Sequence, residues 1–117
     1  MKYDNIVVIK SKAFAIRIVR LYQYLCSEKK EFVLSKQVLR SGTSIGANVK
    51  EAIRGQSKPD FNSKMNIALK EASETEYWLE LLFETDYIDK SQFESMINDC
   101  IELIKILTAI IKTSKGQ

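Results

Sequence analysis

Apolar residues recur at spacings of three and four along most of the chain, which is the period of an amphipathic α-helix. Four such segments are separated by short polar stretches, at about residues 8–27, 34–55, 58–86 and 90–113. Short connections make consecutive helices run antiparallel, so the pattern predicts an all-α, up-down-up-down four-helix bundle. We expect residues 1–117 to form one domain, because a chain of 117 residues has no room for a second core.

Two of the predicted helices begin with recognisable end signals. Ser57 precedes Pro59 and Asp60, which is the pattern of an N-cap followed by proline and an acid in the first turn. Asp89 and Gln92 have the spacing of a capping box at the start of the fourth helix. These signals place the last two helix starts independently of the apolar period.

The weakest helical signal is the stretch 41–47, which contains Gly42 and Gly46. Each glycine costs about 1 kcal/mol relative to alanine inside a helix, so a loop is the alternative. We favour a helix because the apolar spacing continues through the stretch, and glycines one turn apart would let a neighbouring helix approach closely. We expect Asn48 to hydrogen-bond across helices, since an unpaired buried amide would cost about 1–3 kcal/mol.

The composition removes most catalytic chemistry. The chain has no His, and so it lacks the usual general base and the commonest metal ligand. Cys26 and Cys100 have no CxxC spacing, and we expect reduced core thiols. The third helix is acidic but lacks the Glu-x-x-His pairs of a dinuclear metal bundle, and the glycine stretch lacks the ending of a phosphate loop. We therefore expect a non-enzymatic protein with no metal and no cofactor.

No segment predicts a membrane protein. The apolar stretch 96–111 is interrupted by Asp99, Glu102 and Lys105. Near the N-terminus only four consecutive apolar residues occur, at 6–9, which is too short for the apolar region of a signal peptide. We expect a cytoplasmic protein.

The net charge of +3 conceals an uneven distribution. Residues 1–58 carry twelve Lys and Arg against four Asp and Glu, or +8, whereas residues 59–117 carry six against eleven, or −5. Such asymmetry suggests either an acidic partner such as nucleic acid, or a basic half that meets the acidic half of another copy.

The candidate phosphate-binding residues lie on the first two helices and the segment between them. Long cationic side chains on a helix face are usually just solvated. Repeated around an oligomer, however, they would attract a phosphate backbone with little sequence discrimination, and both interpretations stay open. The candidates are Lys10, Arg17, Arg20, Tyr24, Lys29, Lys30, Arg40, Lys50 and Arg54.

Helices three and four have more apolar residues than one bundle seam can bury. Apolar surface that cannot all turn inward usually marks an association site. The candidate oligomer interface therefore comprises Trp78, Leu81, Phe83, Met96, Leu103 and Ile110.

The sequence around the two glycines resembles the 23S rRNA-intervening sequence proteins, a family of four-helix bundles. The shared motif is Ser-Ile-x-Ala-Asn-x-x-Glu, and the stretches 58–61 and 68–76 match the third helix of the family. In this chain the motif residues are Ser44, Ile45, Ala47, Asn48 and Glu51.

The resemblance implies an antiparallel bundle that assembles with itself into a ring, a pentamer. A related branch is the accessory protein of diversity-generating retroelements, a basic pentamer that partners a reverse transcriptase and nucleic acid. We therefore expect a partner among RNA or nucleic-acid-processing proteins rather than a membrane, and the alternative is a protein scaffold without nucleic-acid binding. The family contributes no catalytic residues.

Overall fold

Four α-helices make up the computed structural model, which describes the backbone of residues 2–116 and the side chains of residues 6–116. The helices are α1 (Lys2–Ser27), α2 (Leu34–Ile53), α3 (Lys58–Glu84) and α4 (Lys90–Gly116). Each packs antiparallel against the next, and α4 returns to α1, which gives a bundle 46 Å long. No strand occurs in the part of the chain that is described. The predicted all-α four-helix bundle is confirmed.

The helix ends differ from the prediction at several positions. α1 begins at Lys2 rather than at residue 8, although the run Ile6–Ile9 is rich in β-branched residues. Val7 in that run is fully buried, so packing in the core outweighs the weak helix propensity. α3 ends at Glu84 rather than at residue 86, because Asp86 has a left-handed backbone with φ 69°.

The predicted N-terminal signals of α3 and α4 are confirmed. The Ser57 hydroxyl accepts a hydrogen bond from the Asp60 backbone N–H at 3.2 Å. At the start of α4, Asp89 and Gln92 exchange reciprocal bonds, each 2.8 Å long, between one residue's side chain and the other's backbone N–H. These bonds satisfy backbone donors that a helix start leaves unpaired.

The stretch 41–47 is helical, as predicted, and α1 is the neighbour that approaches it. A methyl group on Gly42 would lie 2.6 Å from Cγ1 of Ile18, which is closer than carbon atoms can come. At Gly46 a methyl group would lie 3.3 Å from the Ser11 carbonyl oxygen. The glycines therefore set how closely α1 and α2 pack, which accounts for their presence in a helix.

The three predicted interface residues of α4 are buried inside the subunit. Met96, Leu103 and Ile110 are buried together with Cys100 and Leu107. A helix that contacts two neighbours has a wide buried arc, and α4 contacts both α3 and α1. The prediction that Met96, Leu103 and Ile110 form an oligomer interface is therefore wrong.

The connection between α1 and α2 is held by a buried carboxylate that the sequence pattern did not single out. Glu31 accepts bonds from the backbone N–H groups of Val33 (3.1 Å), Leu34 (2.9 Å) and Ser35 (2.6 Å). Burial alone would raise the pKa of Glu31, but these three N–H bonds outweigh it and hold the pKa below its usual range. Its position just before a helix start is the available sequence signal, since an acid there is favoured by the helix dipole.

Candidate nucleic-acid interface

Two of the candidate cations on α1 bridge to α4. The Arg17 guanidinium donates to Asp99 Oδ2 at 2.6 Å and to the Ser95 hydroxyl at 2.7 Å. Lys10 Nζ lies 3.1 Å from a carboxylate oxygen of Glu102. Both side chains therefore neutralise acids of their own subunit.

A third candidate, Arg40, bridges α2 to α3. Its guanidinium donates to Glu71 at 3.2 Å and also to Glu74, whose other partner is the Trp78 indole N–H at 3.0 Å. The bond from Trp78 and the bond from Arg40 together hold the pKa of Glu74 below its usual range. The half-buried Trp78 is therefore anchored within its subunit.

These bridges correct the interpretation of the charge asymmetry. Basic side chains of α1 and α2 meet acidic side chains of α4 and α3 across the seams of one bundle. A second copy is not needed to balance these charges.

The candidates near the α1–α2 connection form no ion pairs with the described side chains, but acidic residues lie beside them. Arg20 donates to the Gln23 side chain at 3.4 Å, and Lys30 is exposed. Tyr24 and Lys29 line a cavity of about 220 Å³ whose other walls include Asp86 and Asp89. Acidic residues therefore accompany the cations at this end of the bundle.

Lys50 and Arg54 share with Arg20, Lys29 and Lys30 the lack of an ion pair among the described side chains, but they lie at the other end of the bundle. Both are exposed, one turn apart near the end of α2, and neither forms a salt bridge with any side chain of residues 6–116. They line an open groove between α1 and α2 with a volume of about 630 Å³. Lys12 of α1, which was not among the predicted residues, lines the same groove. On their other side, Lys50 and Arg54 line a cavity of about 730 Å³ whose walls include Glu51 and Asp60.

Charge is also separated along the length of the bundle. Because the helices alternate in direction, residues 2–14, 44–71 and 104–116 form one half, the terminal half, and residues 15–43 and 72–103 form the loop half. The terminal half has eleven Lys and Arg against four Asp and Glu, or +7, and the loop half has seven against eleven, or −4. Lys50, Arg54 and Lys12 all lie in the terminal half.

The residues of the family motif have mainly structural contacts. Ile45 is fully buried, and Ser44 donates to the Arg40 carbonyl at 2.6 Å. Asn48 donates to the Ser44 carbonyl at 2.8 Å, within its own helix, so the predicted bond across helices is wrong. Glu51 pairs with Lys64 of α3 at 2.9 Å. The exposed Ala47 lines the α1–α2 groove.

The remaining interface candidates on α3 are partly used inside the subunit. Phe83 stacks on Phe93 of α4, with ring centroids 4.6 Å apart, and belongs to the packing of α3 on α4. Trp78 and Leu81 are half-buried, and Trp78 contacts the exposed Tyr77 edge to face. Outside the predicted set, the most exposed large apolar side chains lie on α1, the α1–α2 connection and α3, and they include Ile9, Ile16, Phe32, Val33 and Tyr77.

The remaining candidates for chemistry are the two cysteines and groups of side chains that could hold a metal ion. Both cysteines are free thiols. Cys100 is buried and donates to the Ala72 carbonyl at 3.2 Å, and burial raises its pKa to about 12, so the reactive thiolate is disfavoured. Among residues 2–116, no three Cys, Asp or Glu side chains are grouped to hold a metal ion. None of the helices over the same residues has the length and apolar character to cross a membrane.

The fold and its motif define a family of helical bundles. The chain belongs to the 23S rRNA-intervening sequence protein family, whose model matches residues 3–109. It is similar to a protein of unknown function from the S23 ribosomal protein family of Bacteroides thetaiotaomicron VPI-5482, known from a crystal structure. The two are 62% identical, with a TM-score of 0.93 over 94% of this chain and 98% of the other. No curated protein matches the chain.

Proposed function

We propose that this chain is a non-enzymatic, homo-oligomeric protein that binds RNA through the basic surface of its terminal half. The observation that carries the proposal is the separation of charge along the bundle, with Lys50 and Arg54 exposed at its basic end. Lys and Arg side chains that neutralise phosphates release condensed counterions, which favours binding without base recognition. The membership of a family named for insertions in 23S rRNA supports RNA over DNA.

The proposal assigns the predicted cations unequal roles. Lys10, Arg17 and Arg40 serve the helix seams, since each is engaged with a carboxylate of the same subunit. Lys50 and Arg54 contact phosphate, because a phosphate need not displace a carboxylate partner from either side chain. Arg20, Tyr24, Lys29 and Lys30 contribute little, since the loop half is acidic.

Assembly into a closed ring, with the five subunits that the family resemblance implies, would strengthen this binding. Subunits of a cyclic ring whose bundles lie along the ring axis all point the same way. Their terminal halves then gather on one rim, which presents one set of Lys50 and Arg54 for each subunit. Such repetition raises avidity for a long phosphate chain without any new contact within a subunit.

RNA binding is tested with a double charge reversal at the basic end. Titration of generic single-stranded RNA should show affinity falling steeply with salt, with a logarithmic slope of about 0.7 for each phosphate neutralised. Lys50→Glu with Arg54→Glu should lower the affinity at low salt by about tenfold or more and reduce the slope by about 1.4. The matched control, Lys29→Glu with Lys30→Glu, changes the net charge equally in the loop half and should have a much smaller effect.

A protein scaffold without nucleic-acid binding is the second candidate, and the open apolar groove between α1 and α2 favours it. The same titration separates the two candidates. Absence of RNA binding by the wild-type protein at low salt, or equal losses in the two double variants, would replace the RNA proposal with the scaffold.

Assembly is tested by native mass measurement. We propose that the exposed Tyr77 and the half-buried Trp78, with Leu81 beside them, contribute to the contact between subunits. Tyr77→Glu should therefore lower the subunit number, whereas Tyr77→Phe should preserve it. A wild-type protein that is monomeric at micromolar concentration would refute the ring.

A further inference from the structure

The groove between α1 and α2 has an apolar interior that the bundle itself does not fill. Val8, Ala15, Ile16 and Val19 of α1 lie along one side, and Ala47 and Ile53 of α2 lie along the other. From Val8 to Val19 the groove extends about 17 Å along α1, at a rise of 1.5 Å per residue. That length corresponds to about three turns of a second helix.

The charged residues that line this groove are all basic. Lys12, Lys50 and Arg54 are the ionisable residues that line it, and no Asp or Glu of the described residues does so. Cations around an apolar groove favour an occupant whose apolar side is flanked by carboxylates. An RNA strand would use the cations and leave the apolar interior exposed to water.

We propose that the α1–α2 groove binds an acidic amphipathic helix of about three turns presented by another protein. The apolar side of that helix covers Ile16, Val19 and Ile53, and its Glu or Asp side chains pair with Lys12, Lys50 and Arg54. This is the helix-in-groove mode of recognition, in which apolar anchors one turn apart supply the affinity and the flanking charges set the orientation.

A second copy of this chain is a poorer occupant, and this step rests on the ring assembly proposed above. In a ring whose subunits point the same way, a neighbour presents its own terminal half at the level of the groove. That half has a net charge of +7, whereas an occupant that pairs with Lys12, Lys50 and Arg54 must be acidic. Like charges brought together at an interface oppose association.

The proposal makes protein binding and RNA binding mutually exclusive at each subunit, because both use Lys50 and Arg54. The partner would then displace RNA or hold the subunit free of it.

The test uses a synthetic peptide and the full-length protein without RNA. The probe is a fluorescein-labelled helix of about 12 residues with leucines at helical spacing on one side and glutamates on both flanks. Fluorescence anisotropy should report saturable binding that weakens as salt rises. A peptide of the same composition with scrambled order, and one with lysine in place of glutamate, should each bind at least about tenfold more weakly.

Two substitutions on α1 locate the site. Val19→Glu places a carboxylate in the groove and should weaken peptide binding by about tenfold or more. Ile9→Glu is the matched control, because Ile9 is on the same helix, is 67% exposed and does not line the groove. It should leave the peptide affinity unchanged within about twofold. Equal binding by the two variants, or by the scrambled peptide, would overturn the proposal.

Native mass measurement of Val19→Glu identifies the other possible occupant. We expect the subunit number of the wild type to persist in this variant. A fall in subunit number would show that a second copy covers the groove, which overturns the proposal.

Peptide binding by a protein that binds no RNA would refute the proposed RNA function alone, so the two failures are distinguishable. When RNA is bound, the peptide should displace it in proportion to its occupancy.

Discussion

Helix α1 is packed in two different ways against its two neighbours. Against α2 the backbones come close, because Gly42 and Gly46 present no side chain toward Ile18 and Ser11. Against α4 the contact is bridged at its edge by long side chains, through Arg17 to Asp99 and Lys10 to Glu102. The first seam depends on shape, and the second depends in part on charge.

The difference explains why sequence position alone did not separate structural cations from available ones. Cations that face α4 find carboxylates within reach and become part of the bundle. Cations on the α2 side, at Lys12, Lys50 and Arg54, border an apolar groove that contains no acid among the described residues. The neighbour that a side chain faces therefore decides whether it can serve a ligand.

The largest stability effect is expected where a side chain is forced between α1 and α2. Gly42→Leu should lower the free energy of unfolding by about 3 kcal/mol, since overpacking of a tight contact exceeds the gain of about 1 kcal/mol in helix propensity. Urea denaturation followed by circular dichroism measures the change. Ala13→Leu, on the exposed side of α1 near α4, should shift the stability by less than about 0.5 kcal/mol. Equal effects would show that the two seams tolerate volume alike.

The connection between α1 and α2 should be the next most sensitive. Glu31→Gln replaces a carboxylate that accepts three backbone N–H bonds by a neutral amide with a single acceptor oxygen. We expect a loss of about 2 kcal/mol at neutral pH, measured by urea denaturation. The control is the exposed Glu28→Gln, which should cost less than about 0.5 kcal/mol. A loss at position 31 no larger than the control would mean that the three bonds contribute nothing net.

The same carboxylate predicts a pH dependence. The pKa of Glu31 in the folded protein is lower than in the unfolded chain, where a Glu titrates at about 4.3. Its stabilising contribution is therefore complete above the unfolded value and is lost as the pH falls through the folded value. The difference in stability between wild type and Glu31→Gln should shrink as acid is added. A difference that stays constant from neutral to acid pH would contradict this assignment.

Features set by neighbouring residues in the sequence were predictable, whereas contacts between distant residues were not. Apolar periodicity and the caps at Ser57 and Asp89 predicted four helices because those signals act within a few residues. The partners of Arg17 and Arg40 are distant in sequence, so no spacing rule connects them. Met96 shows a different limit. The apolar pattern of α4 exceeds what one helix contact can bury, but α4 packs against two helices, so Met96 is buried inside the subunit.

The groove could have been inferred in part from the sequence. Val8, Ala15 and Val19 recur at spacings of seven and four on α1, beside the line of Phe14 and Ile18, so the sequence contains a second apolar ridge. What the sequence could not show is that Lys50 and Arg54 of α2 would border that ridge. That contact depends on the antiparallel register, which the glycine contacts with α1 fix in three dimensions.

Breaking the charged seam between α1 and α4 should cost less than either change to the α1–α2 seam. Arg17→Met removes bonds to Asp99 and Ser95 from a side chain that is 39% exposed, so we expect a loss of about 0.5 kcal/mol. A double-mutant cycle with Asp99→Asn measures the interaction, which should weaken in high salt. If the interaction free energy of Arg17 with Asp99 exceeded the loss of stability in Gly42→Leu, the charged seam would be the stronger one.

The smallest effect is expected at Lys10, whose pair with Glu102 spans two side chains that are 43% and 50% exposed. Solvent screens such a pair, and ordering two flexible side chains offsets most of the attraction, so Lys10→Met should change the stability by about 0.3 kcal/mol or less. Its effect on RNA is also expected to be small, because Glu102 already neutralises this cation. Lys50→Met removes the same charge from the groove side and should reduce the salt slope of RNA binding by about 0.7. If the two variants reduced the slope equally, the helix that a cation faces would not determine its availability, and the ion pairs of the α4 seam would have to exchange freely with phosphate.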